Sequence, residues 1–189
     1  MKNPIESLCG RPDPHGIWNC PTELYTRRMM IDMFISRSAC RDHIEELVTS
    51  FDIGIVGLAS EYPNLECDTF VFGRGPFQLV RNPENDLWVP EQFVPTITPD
   101  AGDIAVYYFT SAAPPSLRQS IVPFLSNSAS ADADRLTKLD YPTHYGIVAE
   151  RTETQIVIHS KWGETDVYRH ALWDVISPYG NAALFFKRP

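Results

Sequence analysis

A series of short apolar segments in the second half of the chain limits its fold more than any other feature of the sequence. From Gly102 onward these segments read GDIAVYYF, HYGIVAE, TQIVIHS, DVYRH and NAALFFKR, and charged or turn-forming residues separate them. They are rich in Val, Ile, Tyr and Phe, which favour the extended conformation, and their lengths are typical of strands. This pattern predicts an antiparallel meander.

The first half of the chain shows helical spacing instead. Apolar residues recur at near-helical intervals over 22–35 and 44–51, so residues 21–52 are expected to form a helical region. Residues 1–20 are rich in Pro and Gly and predict an irregular arm. Helices followed by strands are typical of an α+β fold.

The length of the chain predicts a single domain over residues 1–189. A chain of 189 residues buries about 70% of the surface that its unfolded state exposes, which is enough for one substantial core. We expect that core to span 62–189. Four prolines in 81–100 predict a long connecting loop, and residues 110–142 form a polar insertion whose tract SNSASADADR has no core-forming pattern.

The net charge argues against two classes of partner. Sixteen basic and 24 acidic residues give a net charge of -8, so the chain offers no positive field to nucleic acid or to an anionic membrane. The N-terminus has no signal-peptide pattern, and no apolar stretch approaches the roughly 18 residues of a membrane span. We therefore expect a soluble protein that is made in the cytosol, with neither nucleic acid nor membrane as a partner.

The four cysteines, at positions 9, 20, 40 and 67, are too few for a disulfide scaffold. Thiols are the expected state, although Cys9 and Cys20 bracket a loop rich in Pro and Gly and could be joined in an oxidising compartment. Cys40 and His43 are three residues apart, but no second Cys/His pair completes a zinc site. The sequence therefore predicts neither a metal nor another cofactor.

Cys67, His144 and His159 are the candidate catalytic residues. Cys67 opens the segment CDTFVFG, which could be a helix or a strand, and the two histidines stand in consecutive predicted strands. A thiol attacks a carbonyl group as the thiolate, and a helix N-terminus and a nearby imidazolium both lower its pKa. A third polar group then fixes the ring of the catalytic histidine.

The spacing of the two histidines suggests that they face each other. A hairpin that pairs His144 with His159 has its midpoint between Arg151 and Thr152, inside the charged stretch in which a turn is expected. The plainer interpretation is that Cys67 is a small buried side chain and that both histidines are structural.

The order ECDTFVFG, AGDIAVYYF, HYGIVAE and IVIHS resembles the NlpC-like cysteine peptidases of the papain-like superfamily. In that family a cysteine opens a helix, and a G-D-L-V-F-F strand, an H-V-G-I strand and a strand ending in I-H-A follow it. The resemblance covers roughly residues 62–160. It implies a papain-like α+β fold in which Cys67 is the nucleophile, His144 the general base and His159 the orienting third residue.

Two aromatic residues are further candidates for the same site. Tyr62 precedes Cys67 as a tyrosine does in the family, where it gives a hydroxyl to the oxyanion hole, and the backbone N–H of Cys67 is an alternative donor. Trp162 could line a substrate groove together with Trp88 and Trp173, or the three could pack in the core.

The predicted activity is hydrolysis of an amide bond by a cysteine peptidase or amidase. The resemblance implies a peptidoglycan stem peptide as substrate, and the missing signal peptide favours an antibacterial toxin delivered by a dedicated secretion apparatus, with an immunity protein as a further partner. A transferase or deamidase could use the same residues. The alternative from another class is a catalytically inactive papain-like binding module, favoured by Glu66 and Asp68 because adjacent carboxylates raise the pKa of Cys67.

Overall fold

The computed structural model describes residues 9–24, 53–63, 65–75, 77–108, 141–163, 165–175 and 179–188. Within these ranges the protein is a mixed α+β structure with a mostly antiparallel sheet and few helices, so the predicted α+β class is confirmed at this level. The principal helix, α1, spans Cys67–Phe72, and a 3-10 helix spans Ala59–Glu61. The strands are β1 (Trp18–Asn19), β2 (Gly54–Gly57), β3 (Leu79–Arg81), β4 (Trp88–Pro90), β5 (Val94–Thr96), β6 (Ile104–Tyr108), β7 (Pro142–Arg151), β8 (Ile156–Lys161), β9 (Val167–Ala171) and β10 (Ala182–Lys187).

The main sheet has eight strands in the order β1-β10-β6-β7-β8-β9-β2, and β5 also pairs with β10. All five apolar segments after Gly102 are strands, as predicted, and the last of them, β10, lies between β6 and the short strands β1 and β5. The pairing of β6 with β7, β7 with β8, and β8 with β9 is antiparallel throughout. The predicted meander is therefore correct for these four strands.

The sheet has an apolar core on each of its two faces. Side chains alternate between the faces along every strand because the period of a strand is two residues. The face that we call the Trp face packs against Trp18, Trp162 and Trp173; its strand residues include Ala105, Tyr107, Val148, Ile158 and Phe185. The face that we call the helix face is covered by α1; its strand residues include Ile104, Val106, Tyr145, Ile147 and Leu184.

The predicted irregular arm at 1–20 is wrong for its described part. Trp18 and Asn19 form β1 and pair with Ala183 and Ala182 of β10, and Cys9 is 1% exposed in the core. Trp18 brings this segment into the sheet because burial of an indole ring is strongly favourable, and its ring meets Phe185 edge to face. Pro and Gly did not prevent a short edge strand here.

The predicted loop at 81–100 is also wrong in part. It contains β4, which pairs with β3 in a separate two-stranded ribbon, and β5, in which Pro95 lies opposite Phe186 of β10. Proline is tolerated in such strands because they lie at edges, where a missing N–H breaks no ladder.

Two predicted segments lie largely outside the described residues. Residues 22–24 are helical, in agreement with a helix that begins at 22, while 25–52 and 109–140 are not described. None of the described helices is long and apolar enough to cross a membrane.

Candidate functional site

Cys67 is the first residue of α1, which resolves the helix-or-strand ambiguity of its segment in favour of a helix. The helix is short because Gly73 ends it at a φ of 78°, with its N–H bonded to the Thr69 carbonyl. Fully buried Val71 anchors it to the helix face of the sheet, and Phe72 meets Tyr145 of β7 edge to face at 5.1 Å. The sulfur of Cys67 is thereby held close to β7.

The surroundings of Cys67 oppose ionisation of its thiol. Burial, with smaller contributions from the carboxylates of Asp68 and Glu66, raises the pKa of Cys67 to about 12, although backbone N–H groups of Tyr145 and Asp68 that bond to the sulfur lower it. At pH 7 a thiol with that pKa is ionised in only about one molecule in 100,000. The resting form is the thiol, not the thiolate that the predicted mechanism needs.

His144 lies on the Trp face, not on the face that carries Cys67. It is paired with Tyr107 of β6, its ring lies 5.7 Å from the Tyr107 ring, and it stacks on Tyr179 at 3.6 Å with an angle of 2° between the planes. It is 1% exposed, and neither ring nitrogen has a hydrogen-bond partner among the residues that the structure describes. Burial, with a contribution from the nearby His170, holds its pKa well below the usual range.

The structure therefore does not bring Cys67 and His144 together, and the predicted nucleophile–base pair is not formed. Tyr107 and His144 share one face by register, whereas α1 covers the other, so the sheet itself separates the thiol from this imidazole. The physical reason is the two-residue period of β7: the helix face receives Tyr145 rather than His144.

His159 faces neither His144 nor its neighbours on the Trp face. The register pairs His159 with Ile147, because the turn falls at 152–155 and an irregularity lies between Val148 and Glu150. The predicted midpoint of the hairpin was therefore wrong, and the partner of His159 lies three residues further along β7 than expected. Because three is an odd number, the partner also lies on the other face of the sheet. His159 consequently cannot orient the His144 ring.

His159 shares the helix face with Cys67. Ile147, its partner in register, packs with the residues of that face, as Cys67 does. The imidazole is half-buried, and burial and the charge of Arg169 lower its pKa, so it is neutral at pH 7.

The two aromatic candidates have different outcomes. Tyr62 is half-buried and packs edge to face against Phe70 of α1 at 5.6 Å, so it does lie beside the helix that Cys67 opens. Trp162 is 1% exposed in the core of the Trp face, and Trp173 is 2% exposed there. A groove wall made of these two indoles is excluded, and the core interpretation is correct for them.

A buried polar cluster on the Trp face was not predicted as a unit. Ser160 Oγ lies 2.7 Å from His170 Nε2 and accepts a bond of 2.8 Å from Trp162 Nε1. The Ala171 carbonyl accepts from His170 Nδ1 at 2.8 Å, so Nε2 is the acceptor for the serine hydroxyl. Because Ser160 and His170 are both 0% exposed, this pair holds β8 to β9 rather than attacking a substrate. The sequence signal was the close spacing of polar residues within otherwise apolar strands.

In the part of the chain that the structure describes, no group of three or more His, Cys, Asp and Glu residues is placed to hold a metal ion. Comparisons with protein-family models, with curated proteins and with solved structures give no match. The family suggested by the sequence motifs stays a prediction.

Proposed function

We propose that this chain is a papain-like domain that acts as a binding module rather than as a hydrolase. The papain-like assignment is supported by the order of elements: a helix opened by Cys67, then β6, β7 and β8, each on the predicted motif. The lack of catalysis rests on one observation, the sheet that stands between Cys67 and His144. The pKa of about 12 for the Cys67 thiol also supports a domain without catalysis.

The surface that best fits a partner is the exposed side of β2. Among the described strands β2 is an edge of the main sheet, and Ile55, Val56 and Leu58, in and just after it, are 53%, 46% and 54% exposed. Residues 53–58 read IGIVGL, without the charge or proline that commonly protects an edge strand. A sheet edge with apolar side chains is suited to an extended peptide segment that adds as a further strand.

We expect peptides selected from a random display library on the full chain to lose affinity when Val56 is replaced by lysine. Val56→Lys places a charge where an added strand would pack, and the dissociation constant should rise about tenfold or more. Val94→Lys is the matched control, because Val94 is 67% exposed on another edge strand, β5. Peptides that bind both variants with the same affinity as the parent chain would show that the binding surface lies elsewhere.

A second candidate function is hydrolysis with Cys67 and His159 as the reacting pair. The specific observation in its favour is that both residues lie on the helix face and that His159 is neutral at pH 7. In this mechanism the Cys67 sulfur attacks an amide carbonyl while His159 accepts the thiol proton and then gives it to the leaving amine; water hydrolyses the acyl-enzyme. Peptidoglycan stem peptides and delivery as an effector remain the substrate and route proposed with it.

The pH dependence of alkylation of Cys67 separates the two candidates without a substrate. For the binding module we expect Cys67 to react about 50-fold more slowly at pH 7.5 than the same thiol in the urea-unfolded chain. A rise in pKa from 9.0 to about 12 removes about 1,000-fold of the thiolate, and the greater nucleophilicity of that thiolate restores about 20-fold.

The same rate should climb about tenfold per pH unit toward pH 12 and should be equal in His159→Ala and His144→Ala. Peptide mass spectrometry would follow each cysteine separately. A hydrolase with a Cys67–His159 pair would instead show a plateau at neutral pH that disappears in His159→Ala and persists in His144→Ala.

A further inference from the structure

Cys9 and Cys20 lie at the two ends of an N-terminal hairpin and pack against the same core. Cys9 is 1% exposed among the residues of the Trp face, and its carbonyl accepts a hydrogen bond of 2.9 Å from Trp173 Nε1. Cys20 is half-buried against that same cluster, and its N–H donates to the Asn181 carbonyl at 2.8 Å. Both cysteines are reduced in the structure.

The hairpin between them is well defined by backbone contacts. Pro12 and Trp18 form an antiparallel bridge, and the Asp13 N–H donates to the Ile17 carbonyl at 2.8 Å. A carboxylate oxygen of Asp13 accepts from the N–H of Ile17 at 2.9 Å and closes the turn from within.

The ends of the hairpin are in contact as well. Gly10 has a φ of 79°, and a Cβ at this position would lie 2.4 Å from the Asn19 carbonyl oxygen, so only glycine allows the two segments to approach this closely. Cys9 directly precedes Gly10, and Cys20 directly follows Asn19, so both cysteines adjoin this contact. Burial contributes most to the raised pKa of Cys9, and the charge of Cys20 makes a small further contribution.

We propose that Cys9 and Cys20 form a redox-sensitive disulfide that ties the N-terminal hairpin shut beside β10. The oxidant is a low-molecular-weight disulfide. The more accessible Cys20 attacks as the thiolate, forms a mixed disulfide and releases one thiolate of the reagent. Cys9 then loses its proton and attacks the Cys20 sulfur, and the second half of the reagent leaves as a thiolate. Two protein thiols and one small disulfide become one protein disulfide and two small thiols.

The second step limits the reaction, because Cys9 is the buried partner. Burial raises the pKa of Cys9 to about 11, so ring closure should accelerate as the pH rises toward that value. The disulfide closes the loop from residue 9 to residue 20 and restricts the unfolded chain, which stabilises the folded state.

Incubation of the full chain with oxidised glutathione at pH 8.5, followed by intact mass and peptide mapping, tests this proposal. We expect wild type and Cys67→Ala to lose the mass of two hydrogen atoms and to yield one cross-linked pair of peptides that contains Cys9 and Cys20. Thermal unfolding should shift upward by about 5 °C or more. Cys9→Ala should stop at one glutathione adduct on Cys20, because the attacking thiol of the second step is missing.

Three results would overturn the proposal. The first is a wild-type chain that stops at the same glutathione adduct as Cys9→Ala even after long incubation at pH 10. The second is a mapped peptide pair that joins Cys20 to a cysteine other than Cys9. The third is an equal unfolding temperature for the oxidised and reduced wild-type chains. Peptide mapping uses wild type alone, so it remains decisive if Cys9→Ala folds poorly.

Discussion

Alanine in place of Gly146 should lower the free energy of unfolding by about 3 kcal/mol. A Cβ at Gly146 of β7 would lie 2.4 Å from Ile158 Cγ2 and 3.2 Å from both the His159 carbonyl oxygen and Ser160 Cβ. Ile158 is 0% exposed and β-branched, so it has no free rotamer into which it can retreat. The added methyl group therefore forces β7 and β8 apart where the sheet must stay continuous.

Urea denaturation followed by circular dichroism measures this effect. Gly54→Ala in β2 is the matched control, since a Cβ at Gly54 meets no atom of the described part of the chain within 4 Å, and the free energy of unfolding should change by less than about 0.5 kcal/mol. Equal stability of Gly146→Ala and Gly54→Ala would show that Ile158 does not pack over Gly146 as described.

Acid should destabilise the protein through His144. Its imidazole is buried against Tyr107 and Tyr179, and within the described ranges neither of its nitrogens has a hydrogen-bond partner. Its folded-state pKa is held well below 6.5 by burial and by His170. The unfolded chain binds a proton at this histidine below about pH 6.5, whereas the folded chain does not, so stability falls as the pH falls through this range. From pH 7.5 to pH 5 the free energy of unfolding should fall by about 2 kcal/mol from this group alone.

The variant His144→Phe isolates this contribution. Phenylalanine keeps an aromatic ring against Tyr179 and has no group to protonate. The free energy of unfolding of this variant should therefore vary by about 2 kcal/mol less than that of wild type over the same pH range. His159→Phe is the comparison, because His159 is only half-buried and a smaller change is expected there. Parallel stability curves for wild type and His144→Phe would contradict the buried, neutral state of His144.

The positions of most elements could be predicted from the sequence because they depend on local pattern. The strands that carry GDIAVYYF, HYGIVAE and IVIHS are short apolar runs bounded by turn residues. The roles of Trp18 and of β2, in contrast, were not predicted. Pro and Gly dominate the surroundings of Trp18, and glycine stands at both ends of β2, so local propensity argued against a strand at either place. Both strands are stabilised by pairing with strands that are distant in the sequence.

The candidate site was predicted in its parts but not in its arrangement. The sequence by itself determined that His144 and His159 stand in adjacent antiparallel strands, but it left the segment that Cys67 opens undecided between a helix and a strand, and the tertiary structure makes it a helix. Only the tertiary structure decided which face of the sheet each side chain enters, because the turn at 152–155 and one irregularity in β7 set the register. A shift of one residue reverses every side chain of a strand, and residue composition does not reveal it. The tertiary structure also decided the ionisation of Cys67, because burial contributes most to the raised pKa of this thiol and no local sequence pattern measures burial.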